Sequence, residues 1–280
     1  MIVAVDFDKT LTAGDTIHTV ATVPRARHPD TPPFAPLVAA YLRDISAHAA
    51  KWQPRLSSTP LGKKQQCRAL LDEYLESLRP LECASLVRVG ESRVLAQATR
   101  AEFRSAGCTL AGLQSGAADA LRGCLDRGHR VCVVSANWSA DFIRGALEAR
   151  GVDERRVEVY CNKMVFDRVS GESTGRVLAR VVVAADKVGV IEGVRDRVAR
   201  ELGRRPLVVY VGDSLTDLPA LLGADAGVLV GSDPDVLAWC SRLGIPPAAT
   251  DEHPHVLRLL ENWGQLSDII DHMERSALAA

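Results

Sequence analysis

The stretch Met1-Ile2-Val3-Ala4-Val5-Asp6-Phe7-Asp8-Lys9-Thr10-Leu11-Thr12 decides the fold. An apolar run that leads straight into two aspartates describes a buried strand with carboxylates at its carboxyl end, where open α/β sheets place their ligand crevice. An isolated Asp-x-Asp is more often an aspartate turn after a strand. The pattern recurs at Leu207-Val208-Val209-Tyr210-Val211-Gly212-Asp213-Ser214-Leu215-Thr216-Asp217, a second apolar run that ends in two aspartates. If the two runs are parallel neighbours, Asp6, Asp8, Asp213 and Asp217 converge at one rim, and so many like charges require a cation among them. Carboxylates, a carbonyl and water, with no His or Cys beside either run, suit magnesium rather than zinc.

Outward from these two runs, short Val- and Ile-rich segments alternate with helical patterns, as in βα units around a parallel sheet. Strands are expected at Ile2 to Phe7, Val131 to Ser135, Val157 to Tyr160, Leu207 to Val211 and Gly227 to Val230. Helices are expected at Gly116 to Arg127, Ser139 to Arg150, Lys187 to Leu202 and Leu218 to Leu222. The fold class is therefore α/β, a Rossmann-like parallel sheet flanked by helices. From Asp15 to Gly112 the alternation stops. A Pro-rich linker (Pro24, Pro29, Pro32, Pro33, Pro36) precedes helices around Leu37 to Ala49, Lys63 to Leu78 after Gly62, and Leu81 to Phe103, with no buried strand among them. This reads as a helical cap, 15–112, inserted after the first strand into a core of 1–14 and 113–280. Val256 to Met273 reads as one or two amphipathic helices against the sheet.

Composition narrows the class. Of 280 residues, 47% are hydrophobic and 25% charged, and the formal net charge is −1. A globular chain with no broad basic surface follows, which argues against nucleic acid or an anionic membrane as partner. No apolar run approaches the roughly 18 residues of a membrane span, and the N-terminus has no basic leader, so a cytoplasmic location is expected. The seven cysteines form no CxxC pair and are expected as buried free thiols. Asp251-Glu252-His253-Pro254-His255 reads as a Pro-containing loop rather than a metal site. Trp52, Trp138, Trp239 and Trp263 read as packing residues, with Trp138 also placed to border a ligand.

Asp6-Phe7-Asp8-Lys9-Thr10 resembles the DxDxT signature of the haloacid dehalogenase superfamily, and Gly212-Asp213-Ser214-Leu215-Thr216-Asp217 resembles its GDxxxD signature. Val131 to Ser135 is similar to the superfamily strand that ends in Ser or Thr, and Lys187 to its lysine at a helix start; Lys163 is the rival lysine. Tyr160 to Asp167, followed by Gly171 and Gly175, is similar to the phosphoserine phosphatase-like branch. The departures at Ala13-Gly14-Asp15 and Ala136-Asn137 speak against phosphoserine itself.

The resemblance implies a magnesium-dependent phosphatase that hydrolyses a small-molecule phosphate monoester through an aspartyl-phosphate. Asp6 is then the nucleophile, and Asp8 the acid that protonates the leaving oxygen, its pKa expected above that of metal-bound Asp6 through repulsion by the surrounding carboxylates. Ser135 and Lys187 contact the phosphoryl oxygens, and Asp217 orients Lys187, with Asp186 as a cap. Asp6, the Asp8 carbonyl and Asp213 hold the ion. Thr10, Asn137 and Asp15 are candidate substrate contacts. An alkyl halide needs no acid at position 8, so dehalogenation is disfavoured. A phosphotransferase or mutase would use the same intermediate, and a non-catalytic protein of this fold is the reading from another class. The partner is expected to be a small phosphorylated metabolite, and oligomeric state is not encoded legibly.

Overall fold

The computed structural model describes residues 1–58, 64–245 and 258–279. Gly62, Lys63 and the Asp251 to His255 stretch lie outside these residues. Among the described residues six parallel strands form the main sheet: β1 (Ile2–Val5), β3 (Arg130–Val134), β4 (Val157–Tyr160), β7 (Val208–Gly212), β8 (Ala226–Val230) and β9 (Arg258–Leu260). Their order is β4-β3-β1-β7-β8-β9, so the chain runs from the central β1 toward one edge and then returns to build the other. Val5 is in register with Val133 on one side and Val211 on the other. The residues after β1, β3 and β7 therefore emerge at one rim, at a topological switch point.

Alternation along the strands sorts the core into two layers. Val3 and Val5, with Val131, Val133, Val209 and Val211, face α6 (Ala117–Asp126), α7 (Ala140–Glu148) and α11 (Gln265–Ala279). Ile2 and Ala4, with Cys132, Val134, Val208 and Tyr210, face α8 (Ala184–Leu202), α9 (Leu218–Gly223) and α10 (Pro234–Leu243). Burial on both faces explains why these strands read as continuous apolar runs.

The inserted segment leaves and rejoins the core at one place: Ala13 N–H donates to Gly112 O (2.9 Å) and Gln114 N–H to Leu11 O (2.8 Å). Between these crossings lie α1 (Ile17–Arg27), α2 (Ala35–Ser58), α3 (Lys64–Glu76), α4 (Arg79–Ser92), β2 (Ala96–Thr99) and α5 (Arg100–Leu110). Pro24, expected in a linker, is a buried residue within α1. The helix expected from Leu81 to Phe103 is broken. Arg93 takes a left-handed conformation (φ 59°), and β2 then pairs antiparallel with β6 (Glu172–Leu178), which also pairs with β5 (Lys163–Phe166). Ala96-Gln97-Ala98-Thr99 has no β-branched run, so its strand is imposed by pairing with β6.

A capping box, Thr99 with Glu102, then starts α5. Here the segment is core rather than separate: α5 packs on α7 so closely that a Cβ on Gly107 would overlap the Phe142 carbonyl, and one on Gly145 the Arg104 carbonyl. Leu70, Leu71 and Leu75 of α3 join the α8–α10 layer. At the other end of the chain, Arg258–Leu260 is an edge strand where a helix was expected, too short for any period to show. Cys124, Cys132, Cys161 and Cys240 are buried free thiols, as expected, whereas the free thiols of Cys83 and Cys108 are only partly buried. Among the described residues no helix is long and apolar enough to cross a membrane.

Candidate active site

Pairing carries β1 beyond its last strand residue, since Asp6 N–H donates to Val211 O (2.9 Å). The chain then turns over Phe7–Leu11 with Lys9 in the left-handed region (φ 60°), a costly conformation that stabilising contacts must hold. Thr12 supplies them. Its hydroxyl accepts from Lys9 N–H (3.1 Å) and lies against the Phe7 and Gly14 carbonyls. The turn brings both Asp6 and Asp8 to a cavity of about 560 Å³, which Ser135, Lys187, Asp213 and Ser214 also line.

Asp6, Asp213 and Asp217 each offer a carboxylate oxygen, all within 4.8 Å of one another. Lys187 lies beside them, its ammonium 3.2 Å from Asp6 Oδ1 and 2.7 Å from Asp217 Oδ1. Burial raises the Asp6 carboxyl well above its ordinary value; Lys187 opposes the rise, and Asp217 and Asp213 add to it. Asp213 is pushed up to about 6, chiefly by burial. Asp217 goes the other way, because Lys187 and its hydrogen bonds outweigh burial. It is saturated: Oδ1 takes Lys187 and the Tyr210 hydroxyl (2.6 Å), and Oδ2 takes Ser214 N–H (3.1 Å) and its hydroxyl (2.6 Å). Gly212 is required here, since a Cβ would stand 2.6 Å from Asp217 Cβ.

One lysine does not balance three carboxylates. The clustered carboxylates outnumber the lysine that touches them, and an all-oxygen donor set fits a hard divalent cation. Asp6 and Asp213 are the members free to hold it.

Asp8 lines the same cavity but is not a member of this cluster. Thr16 N–H (2.7 Å) and the Thr16 hydroxyl (2.6 Å) donate to its Oδ1, and Asn137 Nδ2 (3.1 Å) donates to Oδ2. Burial raises its carboxyl, the Thr16 and Asn137 hydrogen bonds lower it, and Asp15 adds a small rise. The expected cause of a raised Asp8, repulsion by neighbouring carboxylates, is corrected: burial leads the rise, and Asp15 adds the least to it.

The expected site residues divide in two. Asp6, Asp8, Ser135, Lys187 and Asp213 converge on the cavity, and Asp15 and Trp138 line it. Thr10 and Asn137, expected to touch substrate, are fully buried. Thr10 instead donates to Asp213 Oδ1 (2.7 Å), and Asn137 serves Asp8 and Thr16. Lys163 is exposed on β5 and lines a different cavity. Asp186 accepts from Val182 N–H (2.9 Å) and Val183 N–H (3.1 Å) at the start of α8, the helix that presents Lys187, and Arg79 of α4 holds it at 2.9 Å.

Patterning did not single out Thr16 or Tyr210. The signal for Tyr210 is a polar-tipped aromatic in a valine strand, which needs a buried partner. Much of the remaining cavity wall comes from Ile17 and His18 of α1, Leu37, Val38 and Tyr41 of α2, and Glu82, Leu86 and Val89 of α4, together with Phe34 and Val181 to Val183.

A parallel sheet with paired carboxylates and a buried lysine at its switch point defines a class of hydrolases. A model of the haloacid dehalogenase-like hydrolase family matches residues 3–222, and the chain belongs to that family. It is 32% identical over 179 residues to the Bifunctional TH2 protein, mitochondrial, of Arabidopsis thaliana, a match that covers 62% of this chain and 28% of that protein's length. It is 25% identical to Cold tolerance protein 1 of Saccharomyces cerevisiae, over 79% of this chain and 75% of that one. In fold it is similar to a substrate-bound phosphoserine phosphatase (TM-score 0.53, 18% identity, 97% of each chain). It is also similar to cytosolic 5'-nucleotidase IIIB bound to cytidine (TM-score 0.53, 13% identity, 99% of this chain and 87% of that one).

Proposed function

We propose that the chain is a magnesium-dependent phosphatase that hydrolyses a small-molecule phosphate monoester through a phosphorylated Asp6. The observation that carries this reading is the division of labour around one cavity. Asp6 stands 3.2 Å from Lys187 in the acidic cluster, while Asp8 faces the same space from outside that cluster, held by neutral donors.

In the first half-reaction an Asp6 oxygen attacks phosphorus in line, the bond from phosphorus to the ester oxygen breaks, and Asp8 gives that oxygen its proton. In the second, Asp8 as carboxylate takes a proton from a water that attacks phosphorus, which releases inorganic phosphate and restores Asp6. Lys187 and Ser135 face the charge that develops on the phosphoryl oxygens. Asp6 and Asp213 would hold magnesium, which when bound supplies neutralising charge to the nucleophile and phosphate.

The inserted segment acts as a cap through α1, α2 and α4, whose largely apolar wall limits bulk water at the site. A space of this size suits a small organic phosphate. The test is a screen of phosphorylated metabolites and para-nitrophenyl phosphate, with magnesium and with chelator, on the natural chain and Asp6→Asn. Metal-dependent hydrolysis that Asp6→Asn abolishes is expected. Turnover indifferent to both chelator and substitution would falsify the reading.

A further inference from the structure

In Val208-Val209-Tyr210-Val211 one side chain differs from its neighbours by a phenol. Tyr210 is fully buried in the layer of Ile2, Ala4, Cys132 and Val134, where phenylalanine would fill nearly the same volume. Packing therefore does not account for the hydroxyl. It donates to Asp217 Oδ1 at 2.6 Å, the same oxygen that takes Lys187 at 2.7 Å, and Lys187 is 3.2 Å from Asp6.

We propose that Tyr210 is a positioning residue that acts through Asp217 on Lys187; this rests on the hydrolysis proposed above. Asp217 Oδ1 divides its acceptor strength between a cation and a phenol. With the phenol gone, Lys187 is the sole donor to an oxygen shut away from water, and their attraction tightens in a medium that screens it poorly. The ammonium is then drawn toward Asp217 and away from Asp6, where the phosphoryl oxygens arrive. Ser214, through its N–H and hydroxyl, holds the other oxygen and keeps Asp217 in place.

The experiment compares the magnesium-loaded natural chain with Tyr210→Phe on para-nitrophenyl phosphate. Inhibition by orthovanadate, which mimics the five-coordinate transition state, and by inorganic phosphate is measured alongside. A loss in kcat of about tenfold is expected, as for a hydrogen bond felt mainly in the transition state, with KM changed less than about twofold. Orthovanadate inhibition weakens by about the same factor as kcat, and phosphate inhibition does not. A role in stability alone would lower the melting temperature and the fraction of active molecules but leave both inhibition constants in place, which overturns the proposal.

Should Tyr210→Phe not fold, a 3-fluorotyrosine installed at 210 keeps the shape and strengthens the donor; kcat equal to that of the natural chain then overturns it. A natural chain that hydrolyses no phosphate ester with magnesium defeats the underlying reading. An active natural chain whose kcat and orthovanadate constant are matched by Tyr210→Phe defeats the role of Tyr210 alone.

Discussion

Asp8 and Asp217 leave adjacent strands, and each accepts hydrogen bonds on both carboxylate oxygens, yet their carboxyls shift in opposite directions. Burial is the largest influence on both and favours the neutral form. At Asp8 only uncharged donors oppose it, the Thr16 N–H and hydroxyl and the Asn137 amide, and they do not prevail. At Asp217 the Lys187 charge and the Tyr210 and Ser214 hydroxyls do prevail. Exposure differs as well: Asp8 is half-buried at the cavity edge, while Asp217 has no exposed surface. Between these two carboxylates the direction of the shift follows the touching cation rather than the presence of hydrogen bonds, which both accept.

The anchor gives the largest expected effect. Asp217→Asn leaves Lys187 buried with Asp6 as its remaining carboxylate, and loss of one partner of a buried ion pair costs about 3–5 kcal/mol. Denaturant unfolding should show a loss of that order, and turnover of para-nitrophenyl phosphate should fall with it. An unchanged midpoint with full turnover would remove Asp217 from the anchor role.

Asp8→Asn tests the other member. Loss of a general acid costs roughly 10²- to 10⁴-fold in rate, and the asparagine keeps an acceptor for Thr16 and strands no cation, although its new amide nitrogen meets the Asn137 amide. Stability should fall by less than in Asp217→Asn while kcat collapses. Matched losses in stability and rate would erase the contrast with Asp217.

Gly212→Ala probes the anchor without touching a charge. The new methyl group would overlap Asp217, and overpacking of this kind costs about 1–3 kcal/mol. Activity should drop by more than the loss of folded protein explains, because the displaced Asp217 takes Lys187 with it. Circular dichroism melts beside initial rates separate the two.

The contrast was only half legible in the sequence. The runs ending at Asp6 and Asp213 stand out because strands buried on both faces are written as unbroken valine and isoleucine, and a charge after such a run is conspicuous. For the same reason β1, β3, β4, β7 and β8 lie within a residue or two of the expected positions. Lys187 was found by its place at a helix start. What holds Asp8 was not legible. Thr16 is close in sequence, but its hydrogen bonds depend on the turn that Lys9 makes in the left-handed region, and Asn137 reaches Asp8 only because β1 and β3 are neighbours. β2 has no strand composition of its own, and the α5–α7 contact rests on two glycines that look ordinary until the helices meet. Arg79 and Asp186 are far apart in sequence, and no periodicity connects them.

The smallest effect is expected where one of several neutral donors is removed. Thr16→Val keeps the shape and the Thr16 N–H bond to Asp8 Oδ1 but deletes the hydroxyl that donates at 2.6 Å. That hydroxyl favours the charged form of Asp8 and so lowers a carboxyl that burial raises. Its loss must move the carboxyl further up. In the proposed mechanism Asp8 gives a proton to the leaving oxygen in its neutral form, so the alkaline limb of kcat/KM should move to higher pH, with kcat on the plateau reduced no more than about fivefold for one of three hydrogen bonds. A profile measured on para-nitrophenyl phosphate with saturating magnesium decides it. Movement of that limb to lower pH would mean that the group it reports is not an acid held by Thr16, and Asp8 would have to give up the role of proton donor.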